Sequence, residues 1–442
     1  RPEWSLTDLA ILSLKAVNVP IYTTQAVEQI RYILENSGAK VLFISGKKIF
    51  RHAEVALEGV EQLEKVVFFD EDAVPGQEDK YLTFAELEKR GEELDKIDEK
   101  SFDRLLEKLE KDDLATIIYT SGTTGEPKGV MLTHENFTSN ILSISRGLPI
   151  LPTDRSLAVL PLSHIFERCV FYVLCSNGVA IHYCASFDQL AAMLPEVRPT
   201  VMTAVPRLFE QVYHKIVKKG MAAGGWKTRL FEWALQVGQD YWTAKEEQGR
   251  VSAALAAKHA LASRLVFSKW RAGVGGAIRF FVSGGAPLSK KLSYAFWAAG
   301  IPILQGYGMT EACIVSANRP EDNKTGSIGT PFAGVEIKIA EKDGEILIRG
   351  RNVMQGYYNK PEETAKAIDE EGWYHTGDVG YQDQDGHFYV TDRLKDLFKL
   401  SNGKYIAPLQ VESLLKQSPL ISQPVVVGSG RKQVGALVVP DW

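Results

Sequence analysis

The stretch Tyr119-Thr-Ser-Gly-Thr-Thr-Gly-Glu-Pro-Lys-Gly129 decides the fold, because it joins a strand pattern to a loop rich in glycine and hydroxyl residues. The apolar run Leu114-Ala-Thr-Ile-Ile-Tyr119 predicts a β-strand, and a helix is predicted to begin near His134. Glycines let backbone N–H groups turn toward an anion, hydroxyls donate hydrogen bonds, and Lys128 adds positive charge. This composition predicts a phosphate-binding loop, with a plain surface turn as the alternative.

The loop differs from the Walker A motif of P-loop NTPases. That motif requires a glycine, four residues, and then Gly-Lys-Ser/Thr. Here Pro127 stands where the second glycine belongs, and Gly129 follows the lysine. The loop is therefore a phosphate loop of a different kind, and a P-loop NTPase is disfavoured.

Composition indicates an ordinary globular protein. The chain has 442 residues, of which 45% are hydrophobic and 24% charged, and this length predicts two or more domains. The net charge of −4 provides no overall basic field for nucleic acid. The four cysteines form no C-x-x-C pair, which favours a reducing, cytoplasmic setting without a disulfide framework. No apolar run is long enough to predict a membrane span or a signal peptide.

Strand and helix patterns alternate through most of the chain, which predicts a parallel α/β sheet. The charged segment 86–113 is predicted to form solvated helices. The block 207–272 is predicted to be helical, with interruptions at Gly220 and at 224–225. Its Trp226 and Trp233 are seven residues apart on one helical face, so we expect plain core, with a ligand tunnel or a membrane face as alternatives. The predicted strands are 40–45, 66–70, 156–160, 179–183 and 200–205, followed by 278–288 and 301–308, which each end in a glycine turn.

From about residue 325 short β patterns separated by turns predict a small antiparallel sheet or barrel. The fold class is therefore α/β: a large N-terminal domain of α/β sheets with a β-barrel-like part, joined to a small α+β C-terminal domain. We place the large domain at 1–392, a hinge at 393–395, and the small domain at 396–442.

Three further stretches follow strand patterns at predicted glycine turns, where open α/β sheets usually bind ligands. Gly306-Tyr-Gly-Met-Thr-Glu311 offers an aromatic ring, a hydroxyl and a carboxylate suited to Mg²⁺; a structural turn is the alternative. His375-Thr-Gly-Asp378 places a carboxylate where it can accept two ribose hydroxyls, or form an Asx-turn. Asp392-Arg-Leu-Lys-Asp396, by itself, is typical of a solvated linker.

In this order, the motifs resemble those of the adenylate-forming family, which includes acyl-CoA synthetases, nonribosomal-peptide adenylation domains and beetle luciferases. The amino-acid sequences of four stretches are most similar to those of long-chain fatty acid–CoA ligases; these are 163–167, 204–210, 283–288 and 403–408. The resemblance covers essentially the whole chain. The six ordered motifs are 120–129, 161–166, 283–287, 306–311, 375–378 and 393–395.

The resemblance implies a role for individual residues. Lys128, Thr310, Glu311, Arg393 and His164 are the implied catalytic residues; Thr310 bonds phosphate and His164 borders the acyl carboxylate, although a lone His after a strand is otherwise a core residue. Glu311 and Thr124 are the implied Mg²⁺ ligands. The other implied nucleotide-binding residues are Thr120, Ser121, Gly122, Thr123 and Gly125 for the leaving phosphates, Gly285, Ala286 and Tyr307 around adenine, Asp378 with Arg393 for ribose, Lys395 at the hinge, and Gly306, Gly308 and Met309.

The resemblance also concerns the two ends. Members of the family have strands and helices before the position of Arg1, and a catalytic lysine beyond that of Trp442. The small domain is therefore expected to be incomplete in this sequence. A chain that really ended at Trp442 is expected to be severely impaired in adenylation.

The implied function is activation of a long-chain fatty acid by ATP, through acyl-AMP, to its coenzyme A thioester, with release of AMP and pyrophosphate. ATP, Mg²⁺, coenzyme A and the fatty acid are the implied cofactors and partners; nucleic acid is not. Peripheral membrane contact is compatible with this substrate, and the sequence carries no signal of oligomeric state. The alternatives are an acyl-AMP ligase that loads a carrier-protein thiol, and a non-catalytic nucleotide- or acyl-binding protein.

Overall fold

The computed structural model describes residues 1–76, 78–120, 126–401, 405–416, 418 and 420–440. Five residues of the predicted phosphate loop, Ser121, Gly122, Thr123, Thr124 and Gly125, lie outside this part of the chain.

The N-terminal region contains a three-stranded parallel sheet in the order β1-β2-β3, which confirms the predicted parallel α/β architecture there. Helix α2 presents Ile30, Ile33 and Leu34 to the interior, at the spacing of one helical face. The predicted charged helices 86–113 correspond to α4 and α5. The elements are α1 (Pro2–Ser13), α2 (Val27–Ser37), β1 (Val41–Ile44), α3 (Lys47–Leu57), β2 (Lys65–Phe68), β3 (Tyr81–Thr83), α4 (Phe84–Ile97) and α5 (Ser101–Leu106).

The predicted phosphate loop is the connection of a β-hairpin. Its two strands are antiparallel, and Thr120 is the cross-strand partner of Lys128. The helix begins at His134 as predicted, but a strand lies between it and the loop, so Lys128 is held by ladder hydrogen bonds. The elements are β4 (Leu114–Thr120), β5 (Lys128–Thr133) and α6 (His134–Gly147).

A mixed five-stranded sheet follows, in the order β12-β11-β10-β9-β8. Strands β8, β9 and β10 are parallel, whereas β11 and β12 are antiparallel to their neighbours. Strands β6 and β7 form a separate parallel pair. The elements are β6 (Arg155–Ala158), α7 (Ile165–Ser176), β7 (Ala180–Tyr183), α8 (Phe187–Val197), β8 (Val201–Ala204), α9 (Pro206–Met221), α10 (Gly225–Glu247), α11 (Ala253–Ala262), a π-helical turn (Ser263–Phe267), α12 (Ser268–Gly273), β9 (Phe280–Ser283), α13 (Lys290–Ala298), β10 (Ile303–Met309), β11 (Cys313–Ala317) and β12 (Thr330–Pro331).

Helices α9 to α12 form a helical lobe beside this sheet, at the position of the predicted helical block. Trp233 packs against the core, as predicted, and Trp270 is also buried there. The prediction is wrong for Trp226, which is 70% exposed. Trp226 lies in the first turn of α10, beyond the end of the core, where helical periodicity no longer predicts burial. Among the described residues, no helix combines the length and apolarity needed to cross a bilayer.

The β-rich part is a four-stranded antiparallel sheet in the order β13-β14-β16-β17, as predicted. After it, α15 packs on the two-stranded sheet of β20 and β21. The elements are β13 (Val335–Ile339), β14 (Glu345–Gly350), β15 (Gly356–Tyr357), α14 (Pro361–Ala367), β16 (Tyr374–Gln382), β17 (Phe388–Arg393), β18 (Phe398–Lys399), β19 (Tyr405–Ile406), α15 (Pro408–Leu415), β20 (Ile421–Val427) and β21 (Gly435–Pro440).

A buried ion pair joins the first helix to the large domain. The side chains of Asp8 on α1 and Arg168 on α7 are both 0% exposed, and their Oδ1 and Nη2 atoms are 2.5 Å apart. Arg168 also donates to Thr116 on β4, over 2.7 Å, and to Tyr172, over 2.8 Å. Every branch of the guanidinium is thus satisfied, as a buried charge requires.

We expect Asp8→Asn to lower the free energy of unfolding by about 3–5 kcal/mol, because it leaves the Arg168 charge buried without its counter-ion. The measurement is the urea midpoint, followed by circular dichroism. Glu336→Gln is the control, since it removes an exposed ion pair with Arg349 and should change stability by about 1 kcal/mol or less. Equal midpoints for the two variants would contradict the prediction.

Candidate active site

An apolar pocket lies between helix α7 and one face of β8 and β9, and it extends to the carboxyl ends of β9 and β10. Its cavity volume is about 70 Å³. Open α/β sheets place their ligands at the carboxyl ends of their strands, which this pocket reaches. Its polar edge consists of His164, Gly284, Gly285, Gly306, Tyr307 and Gly308, and its apolar lining includes Ile144, Leu148, Ile150, Val170, Val173, Leu174, Val201, Met202, Phe280, Val282, Ile314 and Phe332.

A hydrogen-bonded carboxylate stands beside the pocket. The hydroxyl of Tyr307 donates to Asp378 Oδ2 over 2.6 Å, and Arg393 Nε lies 2.9 Å from Asp378 Oδ1. Burial raises the pKa of Asp378, while Tyr307 and Arg393 oppose that rise. Burial and the neighbouring Asp378 raise the pKa of Tyr307 well above its usual range, so the phenol stays protonated. Tyr307 thus remains a donor while Asp378 keeps capacity to accept further hydroxyls.

The local backbone around Asp378 differs from the prediction. The stretch 375–378 is not a tight turn but part of strand β16, and Asp378 pairs with Arg393 across the β16–β17 ladder. Glu345 on β14 anchors the stretch, accepting from the backbone N–H of Gly377 over 2.7 Å. Ladder pairing therefore fixes the distance between Asp378 and Arg393, which a flexible turn would not.

The second predicted carboxylate, Glu311, lies in a 3₁₀ turn with Thr310, directly after β10. Tyr357 donates to Glu311 Oε1 over 3.0 Å, and burial raises the pKa of Glu311. Residues 306–308 are strand rather than the predicted glycine turn. A Cβ on Gly308 would lie 2.2 Å from the carbonyl oxygen of Cys313, so only glycine permits this pairing of β10 with β11.

Lys128 is held near the same carboxylate. Its Nζ lies 2.5 Å from Glu363 Oε2 on α14, and 5.1 Å from the ring centroid of Tyr357. The hydrogen bond from Lys128, with a second from Lys366, lowers the pKa of Glu363 to about 2. Lys128, Tyr357 and Glu311 therefore form one contiguous group, which joins the hairpin to the end of β10.

The remaining predicted residues surround the pocket or lie at the domain junction. His164 caps α7; its Nδ1 accepts from the backbone N–H of Phe166 over 3.1 Å, and desolvation lowers its pKa, although its edge is open to the cleft. Gly285 adopts a φ of +81° that favours glycine. Ala286 is exposed beside it, and Lys395 is exposed after β17. No direct contact joins Lys395 to the other predicted residues within the described part of the chain.

Two known family profiles match this sequence. The sequence profile of the AMP-binding enzyme family matches residues 1–358, and that of the AMP-binding enzyme C-terminal domain matches 395–442. The chain belongs to the family of AMP-binding enzymes. The predicted resemblance to the adenylate-forming family is thereby confirmed.

A similar curated relative of this AMP-binding enzyme is the long-chain-fatty-acid–CoA ligase FadD15 of Mycobacterium bovis. The two are 37% identical over 447 residues, which span 100% of this chain and 72% of the relative. The predicted enzyme class, an AMP-forming acid–thiol ligase, agrees with that name.

Two solved structures share the fold. One is the anthranilate CoA ligase AuaEII in complex with anthranoyl-AMP, with a TM-score of 0.73, 22% identity, and coverage of 100% of this chain and 75% of that one. The other is the o-succinylbenzoate coenzyme A synthetase MenE of Bacillus subtilis, in complex with ATP and magnesium, with a TM-score of 0.69, 24% identity, and coverage of 100% and 78%. The predicted fold class, with a large N-terminal and a small C-terminal domain, is confirmed.

The described residues of this AMP-binding enzyme fit a magnesium–nucleotide ligand. Mg²⁺ keeps most of its waters and binds through one or two carboxylates and substrate phosphates, so the single carboxylate of Glu311 suits it. Among the described residues, no group of three or more His, Cys, Asp or Glu offers an all-protein metal cage.

Three residues that contact the candidate site were not predicted from the sequence. Tyr357 and Glu363 follow Lys128 by more than 220 residues, and no local pattern links them to it. Glu167 was quoted in a motif but given no role. It is 3% exposed on α7, and Thr203, which lines the pocket, donates to it over 2.7 Å. Burial raises the pKa of Glu167 to about 7.

The Glu167 pKa predicts a pH dependence of stability. Because the folded pKa lies above the unfolded one, the folded state binds more protons between about pH 4.5 and 7, and stability falls as pH rises through that window. Glu167→Gln keeps a hydrogen-bonding group but cannot ionise. At pH 8 we expect the free energy of unfolding of this variant to exceed that of the parent by roughly 3 kcal/mol, which raises its urea midpoint. At pH 4.5 the two proteins should differ little.

The control is Glu88→Gln, which replaces an exposed carboxyl on α4 and should leave the pH profile unchanged. A stability difference for Glu167→Gln that is the same at both pH values would show that the hydrogen bond matters and the charge does not.

Proposed function

We propose that this AMP-binding enzyme activates a long-chain fatty acid with ATP, forming acyl-AMP and pyrophosphate, and then transfers the acyl group to the thiol of coenzyme A. The observation that carries the proposal is the apolar pocket, whose edge residue Tyr307 donates to the Asp378 carboxylate. An alkyl chain fits such a lining, since its burial needs no polar partners.

The first step brings two anions together, so the chain must offset their repulsion. We propose that Lys128, with residues 120–125, holds the leaving phosphates, and that Thr310 donates to phosphate. We propose that Asp378 and Arg393 bind the ribose hydroxyls, and that adenine lies against Gly285, Ala286 and residues 306–309. His164, with Nδ1 accepting from the backbone, presents Nε2–H toward the acyl carboxylate. Mg²⁺, held by Glu311 and Thr124, would neutralise phosphate charge.

We also propose a division of the chain that follows this chemistry. The large domain comprises residues 1–392, the hinge 393–395 and the small domain 396–442. Support comes from the end of strand β17 at Arg393 and from the profile match that begins at residue 395. The acceptor is proposed to be coenzyme A because the similar relatives are named as CoA ligases. An acyl-AMP ligase would instead load a carrier-protein thiol.

The test of the function is a chain-length series of free fatty acids, read as pyrophosphate release with ATP and as thioester formation with coenzyme A. We expect kcat/KM to rise with chain length, since each buried methylene contributes about 0.8 kcal/mol. Preference for acetate or an aromatic acid would refute the long-chain proposal. Transfer to a carrier protein but not to coenzyme A would favour the alternative acceptor.

A substitution inside the pocket tests its identity as the acyl site. Val170 lies on the α7 wall, and Val170→Phe adds a ring to the space between α7 and the sheet. We expect KM to rise about 5- to 150-fold for long acids, because overpacking costs roughly 1–3 kcal/mol, with little change for short ones. Val170→Ile is the smaller-step control. An equal effect on all acids would place the chain elsewhere.

Lys128→Ala tests the phosphate assignment. Loss of a charged hydrogen bond of roughly 1.5–3 kcal/mol predicts adenylation about 10- to 100-fold slower, with transfer from preformed acyl-AMP nearly unchanged. Pyrophosphate–ATP exchange measures the first step and thioester formation the second. Lys89→Ala is the control, since Lys89 is an exposed lysine on α4, outside the proposed site. Equal loss in both steps would make the role of Lys128 structural.

A further inference from the structure

Charge is distributed unevenly along this chain. Residues 206–273, which form the helical lobe of α9 to α12, carry twelve Lys or Arg and only five Asp or Glu, a net charge of +7, although the whole chain has a net charge of −4. A basic lobe on an otherwise acidic protein indicates an anionic partner for that lobe.

The positive charge is concentrated at the tip of the α9–α10 hairpin. Between residues 211 and 231 there are five Lys or Arg and no Asp or Glu. All five are exposed, and in the part of the chain that the structure describes none of them takes part in an ion pair. The five are Lys215, Lys218, Lys219, Lys227 and Arg229. Their field is therefore available to a partner.

The same tip exposes apolar side chains. Trp226 is 70% exposed and Met221 is 46% exposed, and Ala222 and Ala223 lie between them in the sequence. Within residues 188–380, all of which the structure describes, the other exposed large apolar side chains are Leu261 and Leu265 of the same lobe. The apolar exposure of this long segment thus coincides with its basic lobe.

The tip is held in one conformation without a partner. The hydroxyl of Thr228 donates to the carbonyl of Met221 over 3.1 Å, which closes the connection between the helices. Below it, the ring of Phe231 packs directly on Gly220, where a Cβ would come within 2.6 Å. Ordering of the tip therefore adds little to the entropy lost on binding.

We propose that this hairpin tip docks the enzyme on the surface of an anionic lipid bilayer. Lysines near such a surface are each attracted by about 1 kcal/mol, and tryptophan prefers the headgroup level. Met221 and Trp226 enter the interface while the five cations contact headgroup phosphates. Nucleic acid also attracts cations, but it offers no apolar layer for Met221 and the two alanines.

The experiment is flotation of the purified protein with vesicles of phosphatidylcholine, with and without phosphatidylglycerol. We expect binding to the anionic vesicles only, weakened at high salt, which screens exposed charges. The charge-reversal variant K218E/K219E/K227E should bind at least about 100-fold more weakly. The control K89E/K96E/K108E reverses three exposed lysines elsewhere and should bind like the parent.

Trp226→Ala separates insertion from charge. We expect this variant to partition into vesicles about 10-fold more weakly, in line with burial of one large side chain. Brominated lipid should quench part of the tryptophan fluorescence of the parent but not that of the variant. Both variants alter exposed residues outside the pocket, so thermal unfolding and activity on a short, soluble acid should match the parent. That activity readout also keeps the result independent of the proposed substrate.

Three results would overturn the proposal. One is absence of vesicle binding by the parent, and another is equal loss of binding in the two charge-reversal variants. The third is binding to duplex DNA that exceeds binding to anionic vesicles and survives Trp226→Ala, which would identify a nucleic-acid surface instead.

Discussion

The ion pair between Asp8 and Arg168 is the constraint on which the large domain depends. It joins the first helix, α7 and strand β4 at one fully buried point. Removal of either charge would leave the other buried without a counter-ion. The pair therefore holds the three elements in position together. Helix α7 carries His164 at its start and forms one wall of the apolar pocket, while β4 leads to the predicted phosphate loop. A structural ion pair thus joins the elements that carry two parts of the proposed site.

Three buried tyrosines lie near the carboxylates of the candidate site and act as neutral hydrogen-bond donors. Burial raises the pKa of Tyr307, Tyr357 and Tyr374 above the usual range, so all three stay neutral donors. Two of them donate to Asp378 and Glu311 respectively, which satisfies part of each carboxylate while leaving oxygen capacity for a ligand. The carboxylates are therefore oriented before any ligand binds.

The sequence predicted the positions of most strands along the chain, the helical lobe and the antiparallel sheet, because these depend on local periodicity and turn composition. Its motifs also predicted that Tyr307, Glu311, Asp378 and Arg393 belong to one site. The predictions were wrong where tertiary contacts determine the local structure. Trp226 continues a helical pattern past the end of the core, and residues 306–308 stay in a strand because β11 pairs with them through a bulge. The partnership of Lys128 with Glu363 spans 235 residues and leaves no local trace.

That last contact bears on the proposed phosphate role of Lys128. With Glu363 at 2.5 Å, Lys128 already has an anion beside it. On the proposed assignment, a phosphate would bind by ion exchange, displacing the carboxylate of Glu363 from Lys128. A polyvalent anion competes for this lysine better than a monovalent one, because it carries more charge. Such an exchange would also release α14 from the ion pair that joins it to the hairpin strand β5.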